Sequence, residues 1–327
     1  MSDLPLLILS LGGTIAMLPG AAPGVVPTLT AEALVASVPA LAEFAPIEAQ
    51  SFRLLPSAHI SLDDLEALAA LIRERAEGLR GVVITQGTDT IEETAFALDL
   101  MLDLDIPVIV TGAMRNPSLP GADGPANLLA GVQTASDPAL RGFGVMVVMN
   151  DEIHAARSVC KRHASSTAAF VSPNGGPLGW ISEGRALLHA RPLRALSGAF
   201  TAPSQRAAKV ALLTIGIGDQ GELVEACRAA GFDGIVLAGA GGGHVTPACA
   251  KVLAEAAREM PVVLTSRTGG GAALQHTYGY PGAEIELLGS GLIPGGALDP
   301  LKARILLLTC LRHGYTGTKI AEVFAKA

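Results

Sequence analysis

Two glycine-bearing turns place threonine hydroxyls where they could attack a small molecule. The first turn is Leu-Gly-Gly-Thr-Ile at residues 11–15, and the second is Thr-Gln-Gly-Thr-Asp-Thr at residues 85–90. Each turn directly follows a short apolar run that indicates a buried strand, and ligands of open α/β sheets bind outside the carboxyl ends of strands. Thr14 and Thr88, with Asp89 next to Thr88, therefore predict nucleophilic attack on a small polar substrate.

A threonine hydroxyl is a weak nucleophile at neutral pH, so it needs a base, a cation or a relay nearby, and donors for the oxyanion. Gly12 and Gly13 precede Thr14 and allow backbone N–H groups to approach a ligand closely. Lys161 lies in the cationic segment 157–162 and is a candidate proton acceptor, because a lysine in a buried site can give up its proton. Threonines at strand ends more often form turns, and cationic clusters more often face solvent, so spacing alone leaves these roles open.

The elements that must position these residues alternate along the first half of the chain. Short Val/Ile/Leu runs indicate strands, and the segments between them have helical periodicity. The segment that begins Thr-Ile-Glu-Glu predicts a capping box between Thr90 and Glu93. This alternation predicts a parallel sheet covered by helices on both faces. The predicted strands are 5–11, 81–85, 107–111 and 144–149, and the predicted helices are 30–41, 61–77 and 90–102.

A second strand–helix series follows an irregular stretch, residues 190–208, whose prolines and glycine predict a linker. We therefore expect an α/β fold with a larger N-terminal catalytic domain, 1–189, that has a mostly parallel sheet with helices on both faces. The remainder, 209–327, predicts a smaller C-terminal α/β domain. Its predicted strands are 210–215, 234–237 and 261–265, and its predicted helices are 221–230, 247–260 and 301–313.

Composition argues against several classes of partner. Charged residues make up 16% of the chain, below the roughly 25% usual for soluble domains, so we expect self-association to cover part of the surface. The formal net charge is −7 and no basic run is present, which argues against a nucleic-acid partner. The longest apolar runs are far shorter than the roughly 20 residues that span a bilayer, which predicts no membrane association.

Targeting and cofactor signals are also missing from the sequence. The first residues carry Asp3 and no positive segment, so we expect no signal peptide and a cytoplasmic location. The four cysteines are scattered without a CxxC or Cys/His cluster, which predicts reduced thiols and no metal site. The glycine-rich run 239–243 lacks the Gly-Lys-Ser/Thr ending of a phosphate-binding loop, so we expect no nucleotide.

Longer motifs resemble those of the bacterial-type L-asparaginase family, which includes glutaminase-asparaginases. Residues 11–16, Leu-Gly-Gly-Thr-Ile-Ala, are similar to the first family signature, and residues 81–95 are similar to the second, which is very specific. Further similarity covers Thr-Gly-Ala-Met-Arg at 111–115, Asp-Gly-Pro-Ala-Asn-Leu at 123–128 and Leu-Lys-Ala-Arg-Ile-Leu-Leu at 301–307. The resemblance extends over essentially the whole chain.

The resemblance implies hydrolysis of L-asparagine to L-aspartate and ammonia without a cofactor. It also implies a homotetramer, built as a dimer of dimers, with active sites between subunits. In this scheme Thr14 attacks the side-chain amide carbon and carries the acyl intermediate. Thr88, Lys161 and Asp89 form a hydrogen-bonded set that activates the attack or the later water.

The resemblance also implies how a free amino acid would be held. Asp89 would pair with the α-ammonium group of the substrate. Ser57, with Ala58 beside it, would bind the α-carboxylate. Ala113 would offer its backbone carbonyl to the amide nitrogen.

The chain departs from the family pattern, and Gly242 is one departure, because many members have asparagine there. The lid expected after the first threonine, residues 17–30, contains no tyrosine, although the family carries one there that is assigned to activating that threonine. The family's interface glutamate is not obvious either, and our pairing of segment 269–278 puts Tyr278 at its position. We hypothesise that Tyr278 of a neighbouring subunit acts near Thr14, with simple interface packing as an equal alternative. The glycines of 17–30 predict a lid that closes over substrate.

Other functions stay open at this point. The substrate preference is not fixed, so a glutaminase-asparaginase of broader specificity is one alternative. A slow or non-catalytic amino-acid-binding protein is another, because part of the relay to Thr14 is missing. The amide-hydrolysing subunit of a tRNA-dependent amidotransferase is not expected, because it normally carries an additional N-terminal domain and the first signature here begins by residue 11.

Overall fold

The computed structural model describes residues 4–20, 23–44 and 46–327. It divides into two compact units, Met1–Thr201 and Ala202–Ala327. The predicted limits of the linker, 190–208, stay a prediction. In the described part of the chain no helix combines the length and the apolar character that crossing a membrane requires.

Within the described part of the first unit, the strands form one large sheet and two small antiparallel pairs. In the described residues the large sheet has eight strands in the order β12-β11-β8-β7-β6-β5-β1-β4. The pairs from β7 to β4 are parallel, whereas β8, β11 and β12 extend the sheet with antiparallel pairs. The strands are β1 Leu6–Ser10, β2 Met17–Pro19, β3 Val25–Pro27, β4 Ile47–Ser51, β5 Gly81–Thr85, β6 Val108–Thr111, β7 Val145–Met149, β8 Glu152–Ala155, β9 Cys160–Lys161, β10 Phe170–Val171, β11 Gly179–Ser182 and β12 Arg185–Leu188.

Helices cover the two faces of this sheet, as the sequence predicts. Leu6 and Ile8 share a buried cluster with side chains of α1 and α4, while α3 packs on β6 and β7 and also contacts α2. Because side chains alternate along a strand, β1 can be buried on both faces, and all five of its residues are buried. The helices are α1 Ala31–Ala36, α2 Leu62–Arg75, α3 Ile91–Met101 and α4 Gly124–Ser136.

Two helix predictions were wrong in detail. The predicted helix 30–41 ends at Ala36, and a separate 3₁₀ turn begins at Pro39, because proline has no N–H for the continuing helix. The predicted capping box at Thr90 does not form. The Thr90 hydroxyl donates instead to the Ser57 carbonyl, 3.1 Å away, so a tertiary contact takes the place of the local one.

The second unit contains a separate parallel sheet, whose described strands lie in sequence order from β13 to β16. One face packs with α5, α6 and α7 around a buried aliphatic cluster, and α8 contacts β13, β14 and β15. The strands are β13 Val210–Thr214, β14 Gly234–Gly239, β15 Val262–Ser266 and β16 Ile293–Pro294; the helices are α5 Glu222–Ala229, α6 Pro247–Glu259, α7 Glu284–Gly289, α8 Pro300–Arg312 and α9 Gly317–Phe324.

The predicted lid, residues 17–30, contains a short antiparallel hairpin. Met17 pairs with Pro27, and Pro19 pairs with Val25. Residues 21 and 22 of this segment lie outside the described residues. Closure of the lid over a substrate stays a prediction.

Candidate active site

Parallel pairing brings the two threonine turns to the same edge of the sheet. Ser10 at the end of β1 is in register with Thr85 at the end of β5, and the Leu11 N–H donates to the Thr85 carbonyl at 2.8 Å. The turn that carries Thr14 therefore starts beside the turn that carries Thr88. The sequence predicted this edge, but only the register shows that the two turns leave it side by side.

Gly13 provides the contact between the turns. Its φ is +84°, a region that favours glycine, and a Cβ at this position would overlap the backbone nitrogen of Gly87. The two backbones can approach this closely only because Gly13 lacks a side chain. Thr14 thus follows a residue that is pressed against the Thr88 turn.

Lys161 joins Thr88 and Asp89 into one hydrogen-bonded set. Its Nζ lies 2.9 Å from Thr88 Oγ1 and 2.9 Å from Asp89 Oδ1. Thr88 is buried and the Lys161 side chain is only 14% exposed, whereas the Asp89 side chain is 69% exposed. The buried end of the set can move protons, and the open carboxylate can meet a solute.

The charge of Asp89 is favoured by its neighbours. The hydrogen bond and the charge of Lys161, together with a hydrogen bond from Ser57, lower the pKa of the Asp89 carboxyl, against the opposing effect of partial burial. Asp89 is therefore an anion throughout the neutral range. An anion that faces solvent at a sheet edge can pair with a substrate ammonium group.

Lys161 is held by elements on both sides. It ends the two-residue strand β9, which pairs with β10, and its backbone N–H lies 3.3 Å from the carboxylate of Glu92. Glu92 is buried in the first turn of α3, directly after the Thr88 turn. Sequence reasoning did not single out Glu92, although its place in the second signature offered a signal.

Ser57 anchors a third segment to the same place. The Ser57 side chain is buried, its Oγ lies 3.2 Å from Asp89 Oδ2, and the Asp89 N–H donates to it at 3.3 Å. A Cβ on Gly87 would lie 2.7 Å from Ser57 Oγ, so glycine is needed there as well. The neighbouring Ala58 is exposed in the same 3₁₀ turn. Binding of a substrate carboxylate by Ser57 and Ala58 stays a prediction.

Ala113 lies one strand further along the same edge. Thr85 is in register with Thr111, and the Gln86 N–H donates to the Thr111 carbonyl at 3.0 Å. Ala113 is fully buried two residues later. A Cβ on Gly124 would lie 2.9 Å from Ile15 and 3.5 Å from Ala113, which places the Ala113 turn close to the residue after Thr14.

A buried amide that sequence reasoning missed fixes the Ala113 turn. Asn127 Nδ2 donates to the Gly112 carbonyl at 3.0 Å, and Asn127 Oδ1 accepts from the Asn150 N–H at 2.9 Å. Asp123 accepts the N–H groups of Met114 and Arg115 at 3.0 and 2.8 Å. The motif at 123–128 therefore serves as a brace for this turn.

Two predicted catalytic residues have a different status from this set. The Thr14 hydroxyl makes no hydrogen bond to another residue that the structure describes. Tyr278 belongs to the second unit, where it contacts His244, Tyr280 and Glu284. The structure thus brings together Thr88, Asp89, Lys161 and Ser57 through direct bonds and places Thr14 in the adjoining turn.

This arrangement suits acyl transfer from a small zwitterion. It offers two hydroxyls, a lysine that bonds one of them, and an exposed anion for an ammonium group. Gly12, Gly13 and Gly87 let the backbone segments beside the hydroxyls pack closely against one another, because a Cβ at each would collide with a neighbouring segment.

Comparisons with known proteins agree with this chemistry. Residues 5–194 match the family model described as "Asparaginase, N-terminal", and residues 209–324 match the "Glutaminase/Asparaginase C-terminal domain". A protein of Deinococcus radiodurans named "Probable L-asparaginase" is 38% identical, over 98% of this chain and 97% of that protein. A "Glutaminase-asparaginase" of Pseudomonas fluorescens biotype A is 31% identical, over 97% of this chain and 89% of that protein.

A solved structure has the same fold. The crystal structure of a probable cytoplasmic L-asparaginase from Campylobacter jejuni matches with a TM-score of 0.88 and 33% identity. The match covers 99% of this chain and all of that chain. Both units of the present chain therefore have counterparts in one known architecture.

Proposed function

This chain belongs to the asparaginase family, and we propose that it hydrolyses L-asparagine to L-aspartate and ammonia through a threonine nucleophile. The observation that carries the proposal is the position of Lys161 Nζ, which lies 2.9 Å from both Thr88 Oγ1 and Asp89 Oδ1. The turn that carries these two residues packs against the Thr14 turn at Gly13. The family relationship supports the reaction, and this geometry supports the roles of the residues.

In the first step, Thr14 Oγ1 forms a bond to the side-chain amide carbon of asparagine. The hydroxyl proton passes to the amide nitrogen, with the Tyr278 hydroxyl of a second copy as the relay, the C–N bond breaks, and ammonia leaves. Backbone N–H groups around Thr88 are the candidate donors to the oxyanion, and one such donor contributes about 3 kcal/mol in the transition state. The product of this step is an aspartyl ester of Thr14.

In the second step, water attacks the ester carbonyl. Thr88 accepts a hydrogen bond from Lys161, so its own hydroxyl proton is available as a hydrogen-bond donor to the substrate. One proton of the water returns to Thr14 Oγ1 as the ester bond breaks, and aspartate leaves. No atom or electron from a cofactor is needed for either step.

Substrate recognition follows from the charges at the edge of the sheet. Asp89 pairs with the α-ammonium group, because it is an exposed anion held in place by Lys161 and Ser57. Ser57 and Ala58 face the α-carboxylate, and the backbone carbonyl of Ala113 accepts from the amide nitrogen. Tyr278 of a second copy supplies a hydroxyl near Thr14, whose own hydroxyl makes no hydrogen bond to the described residues.

The assembly and location belong to the same proposal. We propose a homotetramer built as a dimer of dimers, whose mass by light scattering would be four times the 33.3 kDa of one chain. A mass of one chain would contradict the role given to a second copy. The structural neighbour from Campylobacter jejuni is named as a probable cytoplasmic protein, which supports a cytoplasmic location here, and cell fractionation tests it.

The experiment compares ammonia release from L-asparagine and L-glutamine by the wild type, Thr14→Ala and Thr316→Ala. We expect release from asparagine by the wild type and a loss of roughly 10³-fold or more in Thr14→Ala, as for removal of other hydrolase nucleophiles. Thr316 precedes α9 and makes no capping bond, so Thr316→Ala is the matched control and keeps full activity. Mass spectrometry of rapidly quenched enzyme should find an aspartyl group on the peptide that contains Thr14.

Other outcomes separate the alternatives. Equal or faster release from glutamine would favour a glutaminase-asparaginase of broader specificity. Binding of aspartate by calorimetry without ammonia release would favour a non-catalytic amino-acid-binding protein. Full turnover by Thr14→Ala would contradict the proposed nucleophile.

A further inference from the structure

The second unit carries an aromatic cluster that is held by hydrogen bonds as well as by ring packing. The chain has three tyrosines, and two of them, Tyr278 and Tyr280, stand two residues apart with 43% and 48% of their surface exposed. His244 follows the glycine-rich turn after β14, and Glu284 begins α7. His244 contacts the other three residues, the two tyrosine rings contact each other, and Glu284 also bonds to the Tyr278 backbone.

Glu284 is the buried centre of the cluster. One carboxylate oxygen accepts the N–H groups of Thr277 and Tyr278 at 2.8 and 2.7 Å, and the other lies 3.0 Å from His244 Nε2. Burial alone would raise the pKa of Glu284, but the backbone donors and His244 hold that pKa below its ordinary value. The carboxylate is ionised, so it fixes the backbone at Tyr278 and makes Nε2 the donor nitrogen of His244.

His244 contacts both tyrosine rings and so fixes their positions. With Nε2 donating, Nδ1 accepts the hydroxyl proton of Tyr280 at 2.7 Å. The imidazole also meets both rings edge to face, with its centroid 5.1 Å from that of Tyr278 and 5.4 Å from that of Tyr280. A Cβ on Gly242 would lie 3.0 Å from His244 Nε2, so the glycine turn makes room for the ring.

The two tyrosine hydroxyls are used differently. The Tyr280 hydroxyl forms a hydrogen bond to His244 within the cluster. The Tyr278 hydroxyl has no partner within the described residues, although the backbone and the ring of Tyr278 are both held. The cluster therefore presents one fixed, unpaired phenol on an exposed surface.

We propose that Glu284, His244 and Tyr280 are positioning residues that hold the Tyr278 hydroxyl for the Thr14 of a second copy. This inference rests on the proposed asparaginase function. Thr14 lacks a hydrogen-bond partner among the described residues, and Tyr278 presents a hydroxyl that also lacks one. Because Glu284 holds the Tyr278 backbone and His244 and Tyr280 hold its ring, the hydroxyl can be placed within the small tolerance that catalysis requires.

The test is a double-mutant cycle in the full-length enzyme with L-asparagine. We expect Tyr278→Phe to lower kcat by about 10²-fold. His244→Ala lowers kcat by about tenfold or more with little change in KM, because misplacement of a catalytic group costs rate rather than substrate affinity. Tyr280→Phe acts in the same direction more weakly. In the Tyr278→Phe background, His244→Ala has no further effect, since the two residues act as one unit.

A chemical readout accompanies the kinetics. Aspartate should protect Tyr278 from nitration by tetranitromethane, as mapped by mass spectrometry, but should not protect Tyr315, whose ring packs against Lys319 Nζ at 3.7 Å. Tyr315→Phe is the matched control with unchanged kcat. Thermal unfolding of each variant identifies any that fail to fold.

Two results would overturn the inference while leaving the proposed function intact. One is a kcat of His244→Ala equal to that of the wild type, measured while the wild type is active and Thr14→Ala is inactive. The other is an equal loss from His244→Ala in the presence and absence of the Tyr278 hydroxyl. A wild type that releases no ammonia would instead reject the proposed function itself.

Discussion

Lys161 is the residue on which the electrostatics of the site depend. It donates at 2.9 Å to both Thr88 and Asp89, and its side chain is largely buried. We expect Lys161→Met to lower kcat by roughly 10²- to 10⁴-fold, because it removes both the bond to Thr88 and the charge beside Asp89. Arg162→Met, which removes the adjacent exposed cation, is the matched control and keeps its activity.

The same variant predicts a change in the pH profile. Lys161 lowers the pKa of Asp89, so Asp89 stays ionised to a lower pH than an ordinary aspartate does. The acid limb of kcat/KM should therefore lie at low pH in the wild type and move to higher pH in Lys161→Met. An acid limb at the same pH in both enzymes would show that Asp89 does not control it.

At the level of single residues, the sequence predicted the members of the site better than their partners. Thr88 and Asp89 are neighbours in one motif, so their proximity needs no long-range information. Lys161 was predicted from its charge and its resemblance to the family, while its bond to Thr88 spans 73 positions. Glu92 and Asn127 were missed because their side chains bond to backbone groups of other segments. Every residue type provides such backbone groups, so the sequence gives no sign of these pairings.

At the level of elements, the approach of two turns decides whether the site exists. Gly13→Ala puts a Cβ into the backbone of Gly87 and forces alanine to a φ of +84°. We expect about 1–3 kcal/mol of backbone strain and, because the turns must separate, a fall of about 10²-fold in kcat. Chemical denaturation and steady-state kinetics measure the two effects.

The control for this prediction is Gly176→Ala. Gly176 has a φ of +73°, but a Cβ at this position would meet open space, so its substitution costs backbone strain without a collision. Both variants should lose stability, and only Gly13→Ala should lose turnover. A similar kcat in the two variants would mean that contact between the turns is not needed for catalysis.

The predicted elements were most accurate where local and tertiary signals agree. The run 81–85 is apolar, bounded by turns and buried, and it forms β5 as predicted. The antiparallel strands β8, β11 and β12 were not predicted, because each has only four residues and β11 and β12 are largely exposed. The helix α4 was not predicted as an element, since its Gly-Pro start and small residues give a weak apolar stripe.

At the level of the whole molecule, one buried histidine links the large sheet to acid stability. His154 on β8 is fully buried, its Nδ1 lies 3.0 Å from Ser172 Oγ, and burial lowers its pKa from 6.5 to about 4. Its Nε2 lies 3.2 Å from a Glu152 oxygen but makes no hydrogen bond of acceptable geometry to the described residues. The effect of burial therefore dominates.

The sign of the pH effect follows from this lowered pKa. Between pH 6.5 and 4 the unfolded chain binds a proton at His154 that the folded chain does not, so the free energy of unfolding falls as the pH falls. Full stability from this group is present above about pH 6.5, and about 2 kcal/mol of it is lost by about pH 5.

We expect urea unfolding of the wild type to show this slope of unfolding free energy against pH and His154→Gln to show a flatter one. His189→Gln, at an exposed histidine that stacks on Trp180, should retain the wild-type slope. Equal slopes in the wild type and His154→Gln would mean that acid unfolding is governed elsewhere in the molecule.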